Sequence, residues 1–301
     1  MTPPPPLRAV RPGLYGDGHP LDEVQYLECK IILKPDRFTA LKSFRQFARV
    51  IARVAEESDV RFRVRDLSRE RPRFREVIFL DTADFRLYNN AFILRRRIEY
   101  EDGFPVADPE IVFKFRHPDL QTAAELDVRP HIPGAYRIKF KAEALPLRDQ
   151  LGGFRLLFSH NAEFALSQAA TEDRTSMRTL VRVFPCLASI KTSDTDRVEL
   201  VNQTIVEEVL LRLGKLDFGK GVEARTDVAL WRERGGHRPL IGEYAFQAKF
   251  DRRLELQAKA RRRCHRFFVA LQHAAREWVS LGTTKTGVVY RLKGNPPQSH
   301  E

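Results

Sequence analysis

The chain has 301 residues, enough to bury a substantial core, and 52 lysines and arginines against 40 aspartates and glutamates leave a net charge of +12. An excess of that sign implies an acidic partner if it is concentrated in one place. Cys29, Cys186 and Cys264 are odd in number and lack metal-site spacing, and no run approaches the roughly 18 apolar residues that span a bilayer, so a soluble, cytoplasmic protein without a disulfide framework or membrane partner is expected.

Residues 1–20 carry Pro3 to Pro6, Pro12 and Pro20 with three glycines, and predict a leader of polyproline II character. In Tyr26–Leu33, Leu27, Cys29, Ile31 and Leu33 alternate with Tyr26, Glu28 and Lys30, the period of a strand with one apolar and one charged face. Pro35 and Asp36 then open a predicted helix to about Ser58, with Asp36 as its N-cap and Phe38, Leu41, Phe44, Ala48, Ile51 and Ala55 along one stripe. The basic stretch Arg61–Arg75 reads as a strand and loop or as a solvated charged loop. Val77–Asp81 and Ala91–Tyr100 read as strands joined through an Asn89-Asn90 turn.

Further strands are expected at Ile111–Arg116 and around Glu125–Arg129, while Tyr136–Lys141 is either another strand or a basic insertion. Residues 145–170 read as helical with an interruption at Gly152-Gly153, and Met177–Ile190 as strand-like with Pro185 marking an edge or bulge. Lys191 and Arg197 flank a turn. Val201–Leu213 and Gly221–Trp231 form a predicted strand pair, and Gly235-Gly236 turns into a strand holding Glu243. Residues 254–281 predict a long helix with Cys264, Phe267, Phe268, Leu271, Ala275 and Trp278 on one face, and Val288–Tyr290 a last short strand before a tail.

The charged faces share one property, mixed sign. Arg95, Arg97 and Glu99 share a face, as do Lys114 and Arg116, Glu125, Asp127 and Arg129, Glu223, Arg225 and Asp227, and Glu243, Gln247 and Lys249. A single such strand is ordinarily half-buried with its wet side outward. Several of them closing with the charged faces inward would make a lumen suited to a polyanion and a divalent cation.

Glu28-Cys29-Lys30, then Phe79-Leu80-Asp81-Thr82 with Ala91-Phe92-Ile93-Leu94-Arg95-Arg96-Arg97, then Phe113-Lys114-Phe115-Arg116 and the late strand through Glu243 resemble, in order and spacing, the CYTH domains of the triphosphate tunnel metalloenzymes. The resemblance covers roughly residues 22 to 250. It implies an α+β fold, a closed antiparallel β-barrel (tunnel) of about eight strands with helices packed outside, as one domain over residues 21–292 between the leader and a tail at 293–301. It also implies that Lys30, Arg95, Arg97 and Lys114, with Lys191 and Arg197 as weaker additions, hold substrate phosphates. Glu28, Glu125, Asp127 and Glu243 would hold Mg²⁺ or Mn²⁺, hard ions that take oxygen ligands, and Glu28 and Lys30 would serve catalysis. Tyr26 and Ala245 stand where the family has acids.

The expected function is therefore a metal-dependent hydrolase of triphosphate or polyphosphate phosphoanhydride bonds, with a non-catalytic polyphosphate or polyanion-binding module as the alternative. Nucleic acid is the weaker partner class, because the basic cluster Arg261–Arg263 lacks aromatic stacking companions. A homodimer is compatible with the sequence. There is no Gly-rich phosphate loop ending in Gly-Lys-Ser/Thr, no His-Glu-x-x-His and no Gly-x-Ser-x-Gly elbow.

Overall fold

The computed structural model describes residues 23–169, 173–193, 195–250 and 257–293. The expected leader at 1–20, the tail from 294 and the start of the long helix at 254–256 lie outside the described residues. The elements in order are β1 (Tyr26–Leu33), α1 (Leu41–Glu57), β2 (Arg61–Val64), β3 (Arg73–Asp81), α2 (Arg86–Asn89), β4 (Phe92–Glu101), β5 (Phe104–Pro105), β6 (Glu110–His117) and α3 (Leu120–Glu125). They continue with β7 (Arg137–Pro146), β8 (Phe154–Ala165), α4 (Met177–Val183), β9 (Glu199–Leu200), β10 (Val206–Asp217), β11 (Glu223–Glu233), β12 (Pro239–Lys249), α5 (Ala258–Ala274) and α6 (Lys285–Tyr290).

Nine strands pair in the order β10, β11, β12, β1, β7, β8, β6, β4, β3, and β3 returns to β10, with Val77 opposite Val206, so the sheet closes on itself. The barrel is mixed. Neighbours run antiparallel except β1 and β7, which are parallel with Glu28 opposite Glu143. Closure satisfies the backbone groups that an open sheet would leave at its edges.

Because side chains alternate along each strand, closure gives every strand an inner and an outer face. The outer face of one side, with Cys29, Ile31, Val228, Tyr244 and Phe246, packs under Phe44, Phe47 and Ile51 of α1 and Phe267, Phe268 and Leu271 of α5. Phe47 lies 5.6 Å from Tyr244 and Phe267 5.6 Å from Phe246, ring centre to ring centre. On the other side, Phe113, Phe115, Ala162 and Phe164 pack against Met177, Leu180 and Val183 of α4. Burial of these large side chains is the main driving force for wrapping the barrel in helices, at about 25 cal/mol per Å² of apolar surface.

Several sequence expectations are corrected. The helix expected over 145–170 is instead a strand, β8: Gly152 has φ +91°, which ends any helix there, and Phe158, His160, Ala162 and Phe164 alternate outward against Ser159, Asn161 and Glu163. The strand expected over 177–190 is α4 followed by a 3-10 turn that Pro185 opens, a position where its missing N–H costs nothing. Asp119 caps α3 by accepting from the Thr122 amide at 2.8 Å, so 125–129 is a helix end and loop, not a strand. Thr284 caps α6 through the Gly287 amide at 3.0 Å, which makes 288–290 helical. Pro35–Arg37 is a 3-10 turn and α1 begins only at Leu41, so Asp36 caps nothing. The open question at 136–141 resolves as β7.

β10 also runs past the turn expected at Gly214. It bulges there, and Gly214 at φ +149° lets β2 approach so closely that a Cβ would sit 2.2 Å from the Arg63 carbonyl oxygen. Among the described residues no helix is long and apolar enough to cross a membrane.

Candidate functional site

The inner faces of the strands carry the charge. β1 supplies Glu28 and Lys30, β6 supplies Lys114 and Arg116, and β7 supplies Lys141 and Glu143. Lys30 Nζ lies 3.1 Å from Glu28 and 3.0 Å from Glu143, Lys114 Nζ 2.5 Å and Arg116 3.7 Å from Glu143, and Lys141 Nζ 3.4 Å from Glu28. Four cations thus share two carboxylates. β6 and β7 are separated by β8, so the Lys114 to Glu143 contact runs through the interior.

The electrostatics follow from this crowding. Burial opposes ionisation of Glu28, yet Lys141 and Lys30 hold its carboxyl down to about 2. Burial opposes the Glu143 charge too, and Lys114, Lys30 and Arg116 hold it well below the usual carboxylate range. The two lysines on Glu143 diverge: burial would lower both, but Glu143, Glu28 and Glu243 raise Lys30, whereas burial, Arg116 and Lys30 together leave Lys114 well below its ordinary value. An anion placed beside Lys114 would offset that burial and repulsion.

Arg95 and Arg97 on β4 face the same interior. Arg97 pairs with Glu110, and its Nε has no hydrogen-bond partner among the described residues. Arg95 has no ion-pair partner among the described residues, and its Nε is buried without an acceptor. Burial, with the Arg97 charge beside it, lowers the Arg95 guanidinium to about 10, still charged at neutral pH. A buried cation without its own carboxylate is costly unless an anion comes from elsewhere.

At the other end of the lumen Glu208 accepts from Trp231 Nε1 at 2.8 Å and from Arg75 Nε at 2.5 Å. Lys285 of α6 reaches Glu243 at 2.7 Å and Glu208 at 3.3 Å, with its ammonium 4.7 Å from the centre of the Trp231 ring. Near the mouth Lys139 and Arg137 share Glu163.

The structure therefore gathers Glu28, Lys30, Arg95, Arg97, Lys114 and Glu243 in one lumen. It does not bring the remaining candidates there. Glu125 ends α3 outside the barrel and accepts from Gln121; Asp127 pairs with Arg129 beside His160 on the outer face of β8. Lys191 is exposed and offers its carbonyl to Arg86, while Arg197 pairs with Asp173 at 2.7 Å. Glu143, Lys141, Arg116, Glu208 and Lys285 are lumen residues that the sequence reading did not place in the site.

The lumen carboxylates are spread over separate ion-paired groups, and among the described residues no three of His, Cys, Asp and Glu converge to hold a metal. This donor set does not fit a protein-built cage for Mg²⁺ or Mn²⁺. An apolar cavity of about 560 Å³ lies outside the barrel between α5 and the outer faces of β1, β7 and β8, away from the paired lumen carboxylates.

No family model matches the sequence, and no curated protein matches it. Solved structures do match. A protein from Hippeastrum named for adenylyl cyclase and described as having a dominant triphosphatase activity is 12% identical, covering 91% of this chain and 98% of its own, with a TM-score of 0.41. A protein from Bacillus halodurans named for adenylate cyclase is 13% identical over 87% of this chain and 95% of its own, TM-score 0.38. One from Vibrio parahaemolyticus, also named for adenylate cyclase, is 10% identical over 89% and 98%, TM-score 0.36.

Proposed function

We propose that the lumen binds the phosphate chain of a triphosphate or polyphosphate and hydrolyses a phosphoanhydride bond there. The carrying observation is the density of buried cations facing the interior: Lys30, Lys114 and Lys141 share Glu28 and Glu143, and Arg95 makes no ion pair among the described residues. Phosphoryl transfer needs little covalent help from a protein; it needs positioning and neutralisation of charge on the phosphate oxygens, which these side chains supply. Mg²⁺ or Mn²⁺ belongs to this reading as a companion of the phosphates, the usual arrangement for a small ion that keeps most of its shell from water and substrate.

A second reading, a polyphosphate-binding module without turnover, is favoured by one observation. Glu243 is held by Lys285, and Glu28 by Lys30 and Lys141, so neither carboxylate is free of a cation to orient water. Calorimetric titration with tripolyphosphate, run beside phosphate release with Mg²⁺, Mn²⁺ and neither, separates the two. Binding with release that Glu28→Gln abolishes supports the hydrolase; binding without release under all three conditions supports the module. Absence of binding removes both.

A further inference from the structure

The apolar cavity of about 560 Å³ outside the barrel follows from the strand register. On the outward face Ala142 of β7 stands opposite Leu27 of β1 and Phe158 of β8, Ala144 opposite Cys29 and Leu156, and Ala248 of β12 opposite Leu27. Three alanines therefore sit among large side chains on one stretch of sheet, and α5 spans above them without filling the space their short side chains leave. Close-packed interiors hold few voids larger than a water molecule. A space within the roughly 300 to 1,000 Å³ range of ligand pockets is of a different kind.

The lining has two chemistries. Its walls are aliphatic and aromatic, with Phe246 and Phe268 6.0 Å apart, ring centre to ring centre. Its polar rim lies on α5, where Arg261, Arg262 and His265 are exposed and, three and four residues apart, flank one face. Arg263 turns away to Asp59, whereas Arg261 and Arg262 make no ion pair among the described residues, and no described aspartate or glutamate lines the cavity. Across from the rim Phe154 and Leu156 of β8 remain 37% and 41% exposed, and the Phe154 ring lies edge-on to His265 at 5.4 Å. The apolar wall thus reaches the surface beside the cations.

We propose that this cavity binds a free single-tailed anionic amphiphile, a long-chain carboxylate, with its head at Arg261 and Arg262 and its tail against Ala142, Ala144 and Phe246. The exposed arginines let the head keep much of its water while it gains a charge partner, and the walls ask nothing polar of the tail. The site is separate from the lumen, so it stands or falls independently of phosphate binding.

The test is calorimetric titration of the full chain, below micelle-forming concentrations, with hexanoate, decanoate, decanol and decylamine. Decanoate should bind one to one, with affinity rising up to about fourfold per methylene from hexanoate, and decylamine should bind at least about tenfold more weakly. Arg261→Gln with Arg262→Gln should weaken decanoate at least about tenfold and leave decanol unchanged. Ala142→Phe, which fills the space, should weaken both; if it fails to fold, the arginine pair decides. In a Cys186→Ser chain, decanoate should slow maleimide labelling of Cys29 and Cys264, the two thiols on the lining. Equal affinity for decanoate and decylamine, no dependence on tail length, or labelling that decanoate leaves unchanged would overturn the proposal. So would binding to anionic lipid vesicles without binding of decanoate. Failure of every probe would also overturn it, and would leave the cavity to the chain's own residues 251–256, which join Phe250 to the start of α5 and lie outside the described residues.

Discussion

Lys30 Nζ lies 3.0 Å from Glu143 across the junction of β1 and β7, the parallel pairing in an otherwise antiparallel ring. The parallel register sets Glu28 directly opposite Glu143, and two like charges so placed repel unless cations stand between them. Lys30 does so, and Lys114 and Arg116 approach Glu143 from β6. Glu143 thus occupies the position in this cluster that an incoming phosphate oxygen would contest.

Glu143→Gln keeps the shape and removes the charge, leaving Lys30, Lys114 and Arg116 to repel one another in a buried setting. The variant should lose about 3 to 5 kcal/mol of stability, the usual cost of breaking a buried pair from one side. Tripolyphosphate should restore more stability to the variant than it adds to the wild type. Denaturant melts with and without tripolyphosphate read both; an equal increment in the two proteins would mean that the phosphates do not reach this cluster.

Arg95→Met tests the opposite case. Arg95 has no ion-pair partner among the described residues and is repelled by Arg97, so its removal should leave stability within about 1 kcal/mol of wild type or raise it. Tripolyphosphate affinity should fall at least about tenfold, since a hydrogen bond to a charged group contributes about 1.5 to 3 kcal/mol. Thermal melts and calorimetry on the same preparation would show it. A variant that melts early but binds normally would assign Arg95 to the fold instead of the ligand.

The residues that could be read from sequence are those on strands whose alternation is uninterrupted. Glu28, Lys30 and Lys114 each sit between apolar neighbours that point outward, Arg95 follows the outward Leu94 and Glu243 precedes the outward Tyr244, and Arg97 continues the alternation past the outward Arg96, so period two places them inward. Glu125 and Asp127 show the same alternation, but Asp119 and Thr122 form a helix cap upstream and the local signal wins. Glu143 continues the series Arg137, Lys139, Lys141, yet the apolar run after it reads equally well as a helix start, and short apolar runs do not separate the two periods. Lys285 had no signal at all: its role depends on a six-residue helix being set against Trp231, a contact between elements far apart in sequence.

Asp81 gives the pH dependence. It is buried where three amides and the Tyr290 hydroxyl donate to it, and burial outweighs those bonds, lifting its carboxyl from 3.8 to about 6. A folded-state value above the unfolded one means that the native state holds the proton more tightly. The associated stability is complete below about 3.8 and is lost as pH rises through about 6, up to about 3 kcal/mol for a shift of this size. Asp81→Asn removes that titration, so its stability between pH 4 and 7 should follow a flatter course than wild type in urea melts at closely spaced pH values. Parallel curves for the two proteins would assign the pH dependence elsewhere. Glu28 acts in the opposite sense, at lower pH: held down to about 2, it contributes stability above about 4.5 that is lost as pH falls toward about 2.

Lys285 links α6 to the charged interior through Glu243 and Glu208, and the link can be measured by a cycle. Lys285→Met should cost about 2 to 3 kcal/mol, because Glu243 is left in a largely enclosed site without its 2.7 Å partner. Glu243→Gln alone should cost less, since Lys285 keeps Glu208 at 3.3 Å and the Trp231 face. The double variant should be more stable than the sum of the single losses predicts, with a coupling of about 1 to 2 kcal/mol, as expected for two charges in direct contact. Additive losses would show that Lys285 holds α6 by packing alone, with no contribution from its ion pair with Glu243.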